Sequence, residues 1–213
     1  MVLRMRGGTR TDVIYGGEDW LPEWAAAGWL APLEKHYPEL RSKYGPLIAN
    51  YALRDMTYNG QLYGLPYYAD MFTFQYNAKI LKDHGIAVPK NWDDVLQASL
   101  KLQKAGMDKP FSYVFNQELP HFYQEFVSQV YGRGGRMFDD DSRPLFNNPD
   151  SEAFKHLQWL QDAVTKHKIV AFETADVRVV DSLNTGKHAF TVMWNYLLAR
   201  LNDRITSLTI CVV

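Results

Sequence analysis

An α/β fold follows from three features of the sequence. Short apolar runs with strand character alternate with helical segments from Met71 to Met193. The helical segments carry their own punctuation, such as Asn91 followed by Asp94 at one start and Gly28, Gly85, Gly106 and Gly186 past several ends. Asn59-Gly60 stands between two short extended runs, and both positions of such a turn need a positive φ that Asn and Gly tolerate best.

Taken in order, Asp12–Tyr15 reads as a buried strand ended by Gly16-Gly17. Asp19 is placed to cap the helix that follows, Pro22 sits in its first turn, and Gly28 suits the position just past its end. The hairpin runs from Asp55–Tyr58 into Gln61–Leu65, and Pro66-Tyr67-Tyr68 closes the ribbon. Met71–Asn77 predicts a strand, Ala78–His84 a short helix, and Asn91 to Gly106 a longer one. Phe111–Phe115 predicts a strand and Pro120–Tyr131 an aromatic-rich helix stopped by Gly132. Gly134–Phe146 reads as a hairpin or loop with Asp139-Asp140-Asp141 at its tip. Asn148-Pro149 starts a helix reaching about His167, with Phe154, Leu157, Leu160 and Val164 near one face. Arg178–Thr185 is a last helix and His188–Met193 a last strand.

Composition narrows the function. Hydrophobic residues make up 46% and charged residues 22%, enough to bury a core. A net charge of −1 supplies no overall basic field for nucleic acid or acidic lipid. Cys211 is the single cysteine, so no internal disulfide forms, and no base stands beside it in sequence. There is no apolar run long enough to span a membrane. Met1–Gly8 is basic with no apolar stretch behind it, which is not the pattern of a signal peptide. The histidines lack zinc spacing, Asp139–Asp141 lacks the Gly and distal Glu of a calcium loop, and no phosphate loop, Gly-x-Ser-x-Gly or dinucleotide fingerprint occurs. No metal or cofactor is expected.

In α/β folds ligands sit beyond the carboxyl ends of strands. Gly16–Trp20, Phe115–His121 and Trp194–Tyr196 meet that rule, and Tyr67–Asp70 joins them if it lines a crossing between lobes.

Six segments in order carry a family resemblance: Asp12-Val13-Ile14; Ala26 to Leu33 (AAGWLAPL); Asn59 to Asp70 (NGQLYGLPYYAD); Tyr76 to Leu81 (YNAKIL); Val88 to Asp94 (VPKNWDD); and Gly186 to Phe190 (GKHAF). Between about Asp12 and Leu201 the chain resembles the extracellular solute-binding proteins that include maltose-binding protein. The resemblance implies a bilobed, Venus-flytrap receptor, here incomplete at both ends, with a partial first lobe over residues 1–69 and a hinge crossing with a partial second lobe over 70–213. It implies a monomeric, non-enzymatic, periplasmic or extracellular protein that closes on a mono- or oligosaccharide and docks on the permease of an ABC importer. The tail 205–213 departs from the family pattern.

The resemblance also points to ligand-binding residues. Asp19 follows the first strand where the family carries an acidic sugar ligand, and it can cap the helix at Trp20 as well, because a carboxylate has two oxygens. Trp20 stands beside it. Asp70 follows Pro66-Tyr67-Tyr68-Ala69 at the family's hinge-side acidic position, and Tyr68 shares its face if the stretch is extended. His121 replaces the family's aromatic ligand, with Glu118 offering a polar group nearby. Trp194 and Tyr196 follow the last strand where the family has an aromatic platform, and the strand end favours one of them as a stacking residue over core packing. Two other classes stay open: a receptor for a polyamine, iron complex or peptide, and a glycosidase using Asp19 and Asp70.

Overall fold

The computed structural model describes residues 2–9, 11–68, 70–115, 121–198 and 210–212. The chain divides into two compact units, Met1–Ala69 and Asp70–Val213.

The first unit is built from short helices and one hairpin. Its helices are α1 (Val2–Arg6), α2 (Leu21–Ala26), α3 (Leu33–His36), α4 (Leu40–Tyr44) and α5 (Asn50–Asp55), and its strands are β1 (Thr57–Tyr58) and β2 (Gln61–Leu62). Asn59 and Gly60 adopt φ of 47° and 77°, the pair of left-handed positions the hairpin demands. The hairpin is clasped by an ion pair. Arg41 donates to Glu34 through Nε (2.8 Å) and Nη2 (3.1 Å), Leu62 N–H donates to Glu34 Oε2 (3.0 Å), and Arg41 Nη2 also reaches the Gly60 carbonyl (3.3 Å). The Arg41 bonds, then the Leu62 N–H, hold the Glu34 carboxyl below its ordinary pKa. Helix α2 ends as its Gly28 predicts: at φ 71° the chain turns so that Gly28 N–H reaches Ala25 O and Trp29 N–H reaches Trp24 O.

Two expectations for this unit fail. Asp12–Tyr15 forms no strand, and Val13 is 90% exposed; an apolar run needs a partner to bury its backbone, and the only sheet described in this unit is the β1–β2 hairpin. Asp19 is not a cap either. It lies within a single 3₁₀ turn, Glu18–Trp20, and Trp20 precedes α2 with no side-chain capping bond.

The second unit is a five-stranded mixed sheet with helices on both faces. Its elements are β3 (Phe72–Asn77), α6 (Ala78–Asp83), α7 (Trp92–Lys104), β4 (Phe111–Val114), α8 (His121–Gly132), α9 (Glu152–Thr165), β5 (Val170–Glu173), α10 (Asp176–Asn184), β6 (Phe190–Trp194) and β7 (Ile210–Val212). The strand order is β5-β4-β6-β3-β7, with β4 parallel to β5 and β6, and β3 antiparallel to β6 and β7. Side-chain alternation assigns the faces. Phe111, Tyr113, Phe190, Val192 and Tyr76 enter the larger core with residues of α6, α7, α8 and α9, while Val114 and Met193 pack with Val179, Val180 and Leu183 of α10.

The caps follow local chemistry. Asn91 Oδ1 accepts from Asp94 N–H (2.8 Å), and Asp94 Oδ2 in turn accepts from Lys90 N–H (2.9 Å). Asn77, the last residue of β3, caps α6 through Ile80 N–H (3.1 Å) and fixes α10 by donating to Leu183 O (2.9 Å). The α9 helix starts later than Asn148-Pro149: Ser151 is the cap, and Asn148 instead makes the preceding turn by accepting from Asp150 N–H. The strand β5 and the pairing of residues 210–212 with β3 were not expected from the sequence.

A buried polar chain crosses the larger core. His156 bonds Gln129 Oε1 through Nε2 (2.6 Å), and Gln129 Nε2 donates to the Tyr113 hydroxyl (3.0 Å). Burial, then the Arg133 charge, lowers the His156 pKa to about 3, so this imidazole is neutral at physiological pH. Its ring lies nearly parallel to that of Trp159 (8°).

Candidate functional site

The antiparallel pairing of β3 and β6 gathers three of the candidate residues at one end of the second unit. In register, Phe72 faces Trp194 and Thr73 faces Met193. One step beyond, Asn195 N–H donates to Met71 O (3.0 Å), and the Asn195 side-chain oxygen accepts from Met71 N–H (3.3 Å). The Asn195 side chain thus replaces the carbonyl that would complete the pair. Asp70 lies two residues before β3, Trp194 is the last residue of β6, and Tyr196 sits in the 3₁₀ turn that follows, Asn195–Leu197. Asp70 and Trp194 are half-buried and Tyr196 is exposed.

The support beneath is a buried amide. Gln75 is fully buried, and its Nε2 donates to Thr73 Oγ1 (3.1 Å), Met193 O (3.3 Å) and Trp194 O (3.3 Å). Among the described residues its oxygen has no partner. Gln75 therefore fixes the backbone of β6 where Trp194 leaves it, from a position the sequence did not single out.

His121 is the first residue of α8, which places it just after β4. Glu118 lies outside the described residues. Phe115, directly after β4, is exposed and meets Phe122 of α8 (ring centroids 5.3 Å) and Phe172 of β5 (5.4 Å), an aromatic patch at the carboxyl ends of both strands.

Within the first unit, Asp19 and Trp20 are exposed, and the Trp20 ring lies 5.4 Å from that of the buried Trp24. Tyr68 comes together with a residue that sequence reading missed: Tyr15 OH donates to Tyr68 OH (2.8 Å).

A surface hollow of about 730 Å³ lies elsewhere, against Met107, Lys109, Glu173, Lys187 and His188, and touches none of the candidates. There, burial pushes Glu173 up, but Lys187 (3.2 Å) and His188 (3.5 Å) overcome it and hold the carboxyl below its ordinary pKa. Among the described residues no group of three or more His, Cys, Asp or Glu is arranged to hold a metal, and no helix is long and apolar enough to cross a membrane.

The fold is that of the bilobed solute-binding proteins. It matches an ABC transporter solute-binding protein from Thermotoga lettingae bound with α-D-tagatose (TM-score 0.81, 24% identity, 100% of this chain and 55% of that one). It also matches the maltose-bound T. maritima MalE3 (TM-score 0.82, 19% identity, 100% and 54%). In sequence, the Maltotriose-binding protein of Pyrococcus abyssi is 26% identical over 151 residues, 70% of this chain and 30% of that protein. The chain belongs to the bacterial extracellular solute-binding protein family, whose model matches residues 1–206. It spans about half the length of the solved relatives, and its match covers less than a third of the curated one.

Proposed function

We propose that this chain is part of a receptor that captures a mono- or oligosaccharide for an ABC importer. The observation that carries the reading is the convergence of Asp70, Trp194 and Tyr196 at one end of the β3–β6 pair. Sugar recognition needs a flat apolar face for the C–H side of the ring and a carboxylate to accept hydroxyl protons, and this sheet end offers both. Asp19, Trp20 and Tyr68 are the corresponding contacts on the first unit, with Glu118 and His121 completing the set. Family membership and the sugar named for the Pyrococcus relative support the ligand class. The protein works as a monomer outside the cytoplasm, hands its sugar to membrane permease subunits, binds no nucleic acid and turns over no substrate.

Because the chain spans half of such a receptor, its own affinity is expected to be weak, with Kd on the order of millimolar. Heteronuclear NMR titration of the 213-residue chain with maltotriose, tagatose, a polyamine and a short peptide tests this. Saturable shifts with a sugar and none with the others are expected. Shifts with only the polyamine or the peptide would replace the sugar reading, and release of cleaved sugar into the medium would replace the receptor.

A further inference from the structure

Tyr15, Tyr67 and Tyr68 stand together on the first unit although 70%, 84% and 59% of their respective surfaces remain exposed. Core packing does not explain rings that stay in water. Their geometry is ordered nonetheless. Tyr15 and Tyr68 lie near-parallel (22°, centroids 6.5 Å) and share the hydroxyl bond of 2.8 Å. Tyr67 stands edge-on to both, at 88° to Tyr15 (6.1 Å) and 75° to Tyr68 (5.6 Å). The result is a cluster in which two near-parallel rings joined by a hydroxyl bond are both met edge-on by a third. It is assembled from residues 53 positions apart, and Tyr15 comes from a segment that pairs with none of the described strands.

Clustered exposed rings mark a contact surface. Tyrosine fits a neutral sugar: the ring face covers a patch of pyranose C–H groups, and the phenol exchanges hydrogen bonds with the equatorial hydroxyls. Few rotatable bonds are frozen in the process. The Tyr15–Tyr68 bond adds preorganisation, since it fixes the tilt of one face before any ligand arrives.

We propose that Tyr15, Tyr67 and Tyr68 form one sugar-contact surface on the first unit, and that Tyr15 sets its geometry through the hydroxyl bond to Tyr68. This rests on the sugar-receptor reading and extends it to Tyr15 and Tyr67, which were not among the ligand-binding residues that the resemblance points to. The principal competitor for exposed tyrosine faces is a cation, held by cation–π attraction.

The test uses the 213-residue chain with ¹³C-labelled tyrosine rings, titrated separately with maltotriose and with spermidine. Maltotriose should shift the Tyr15, Tyr67 and Tyr68 ring signals along one saturation curve, with spermidine silent. Tyr15→Phe keeps the ring and loses the bond, and should weaken the apparent Kd by roughly threefold, the scale of one hydrogen bond. Tyr67→Ala should weaken it further, while Tyr51→Ala, another exposed tyrosine of this unit, should leave it unchanged. Exposed positions tolerate such changes, and the backbone amide spectrum checks the fold of each variant. Maltotriose binding that bypasses the three rings, or that is indifferent to both Tyr15→Phe and Tyr67→Ala, overturns the inference and leaves the receptor reading standing. Ring shifts with spermidine alone overturn the sugar as occupant. Maltotriose binding confined to these rings but equal in Tyr15→Phe and wild type overturns the positioning role. Absence of any shift with maltotriose overturns the surface and counts against the receptor reading itself.

Discussion

The rings of Phe72 and Trp194 lie 3.8 Å apart, centroid to centroid, at 35°, directly opposite each other across β3 and β6. The hydrogen-bond pattern explains the closeness. Asn195 N–H bonds Met71 O and Asn77 N–H bonds Ala189 O, so 72 and 194 fall on a pair without mutual backbone bonds, where side chains approach most closely. One side of Trp194 is therefore already occupied, and the residue also packs against the cluster of Val114, Met193 and Leu197.

Trp194 and Phe72 should be separable by their effects. Trp194→Ala removes a half-buried ring and should cost about 2 kcal/mol, below the 3–5 kcal/mol typical of a fully buried Trp. Sugar affinity should fall as well. Phe72→Leu keeps apolar support behind Trp194 and should lower stability slightly while leaving sugar affinity near that of wild type. Urea denaturation and sugar titration of both variants read this out. Complete unfolding by Trp194→Ala would make that residue core rather than platform.

Gln75 should be intolerant of charge. Its amide nitrogen faces the carbonyl oxygens of Met193 and Trp194 from full burial. Gln75→Glu presents an acceptor to acceptors. The buried carboxyl should stay protonated above its unfolded pKa, so the variant's deficit should grow as pH rises from 4 to 8, by about 2 kcal/mol or more. Gln75→Leu leaves no such charge and should show no such pH slope. Equal slopes in the two variants would refute the assignment.

The parts of the fold legible in the sequence are those where one residue type performs a local task. Asn59-Gly60 fixes the hairpin, and Asn91 with Asp94 fixes the start of α7, because each acts on neighbours three residues away or fewer. The strand β5 was illegible for the complementary reason. The chain leaves α9 through Lys168 at φ 54°, a position where Gly is the usual signal, so nothing in the sequence marks the boundary. Asp12–Tyr15 has the composition of a strand, but composition does not supply a partner. The site shows the same division. Asp70 and Trp194 stand in recognisable motifs, whereas Gln75 and Tyr15 act on residues 118 and 53 positions away, which no local pattern reveals.

His156 should make folding sensitive to mild acid. Folded, it stays neutral down to about pH 3; unfolded, it takes up a proton near 6.5. Between these values the unfolded chain binds more protons, so stability is full above 6.5 and declines as pH falls towards 3. From pH 7 to pH 5 the loss should be about 2 kcal/mol. This window lies above the range where Glu34, Glu152 and Glu173, whose pKa values are lowered from 4.5, begin to withdraw their own contribution. Urea unfolding of wild type and His156→Phe at the two pH values checks it: the variant should lose the slope, and an unchanged slope would remove His156 as its cause.

Asp70→Asn should separate charge from shape at the candidate site. Asn preserves the volume of Asp and can still accept one hydroxyl proton, but it no longer carries the ionised acceptor. A charged partner adds about 1.5–3 kcal/mol to a hydrogen bond, so sugar affinity should fall roughly tenfold to a hundredfold. Asp70 is only half-buried, which places the expectation at the lower end. The fold should not suffer, because the sheet end is held by the Met71–Asn195 bonds and by Gln75. A second measurement identifies the mechanism. If Asp70 accepts from one particular hydroxyl, the deoxy sugar lacking that group should bind wild type as weakly as the intact sugar binds Asp70→Asn, and combining the two changes should cost little more than either alone. Trp194→Ala should show no such coupling to any single hydroxyl, since its contribution is contact with the ring face. Affinity within about a factor of two of wild type in Asp70→Asn, well under the 1.4 kcal/mol of a tenfold change, would mean that this carboxylate does not touch the ligand.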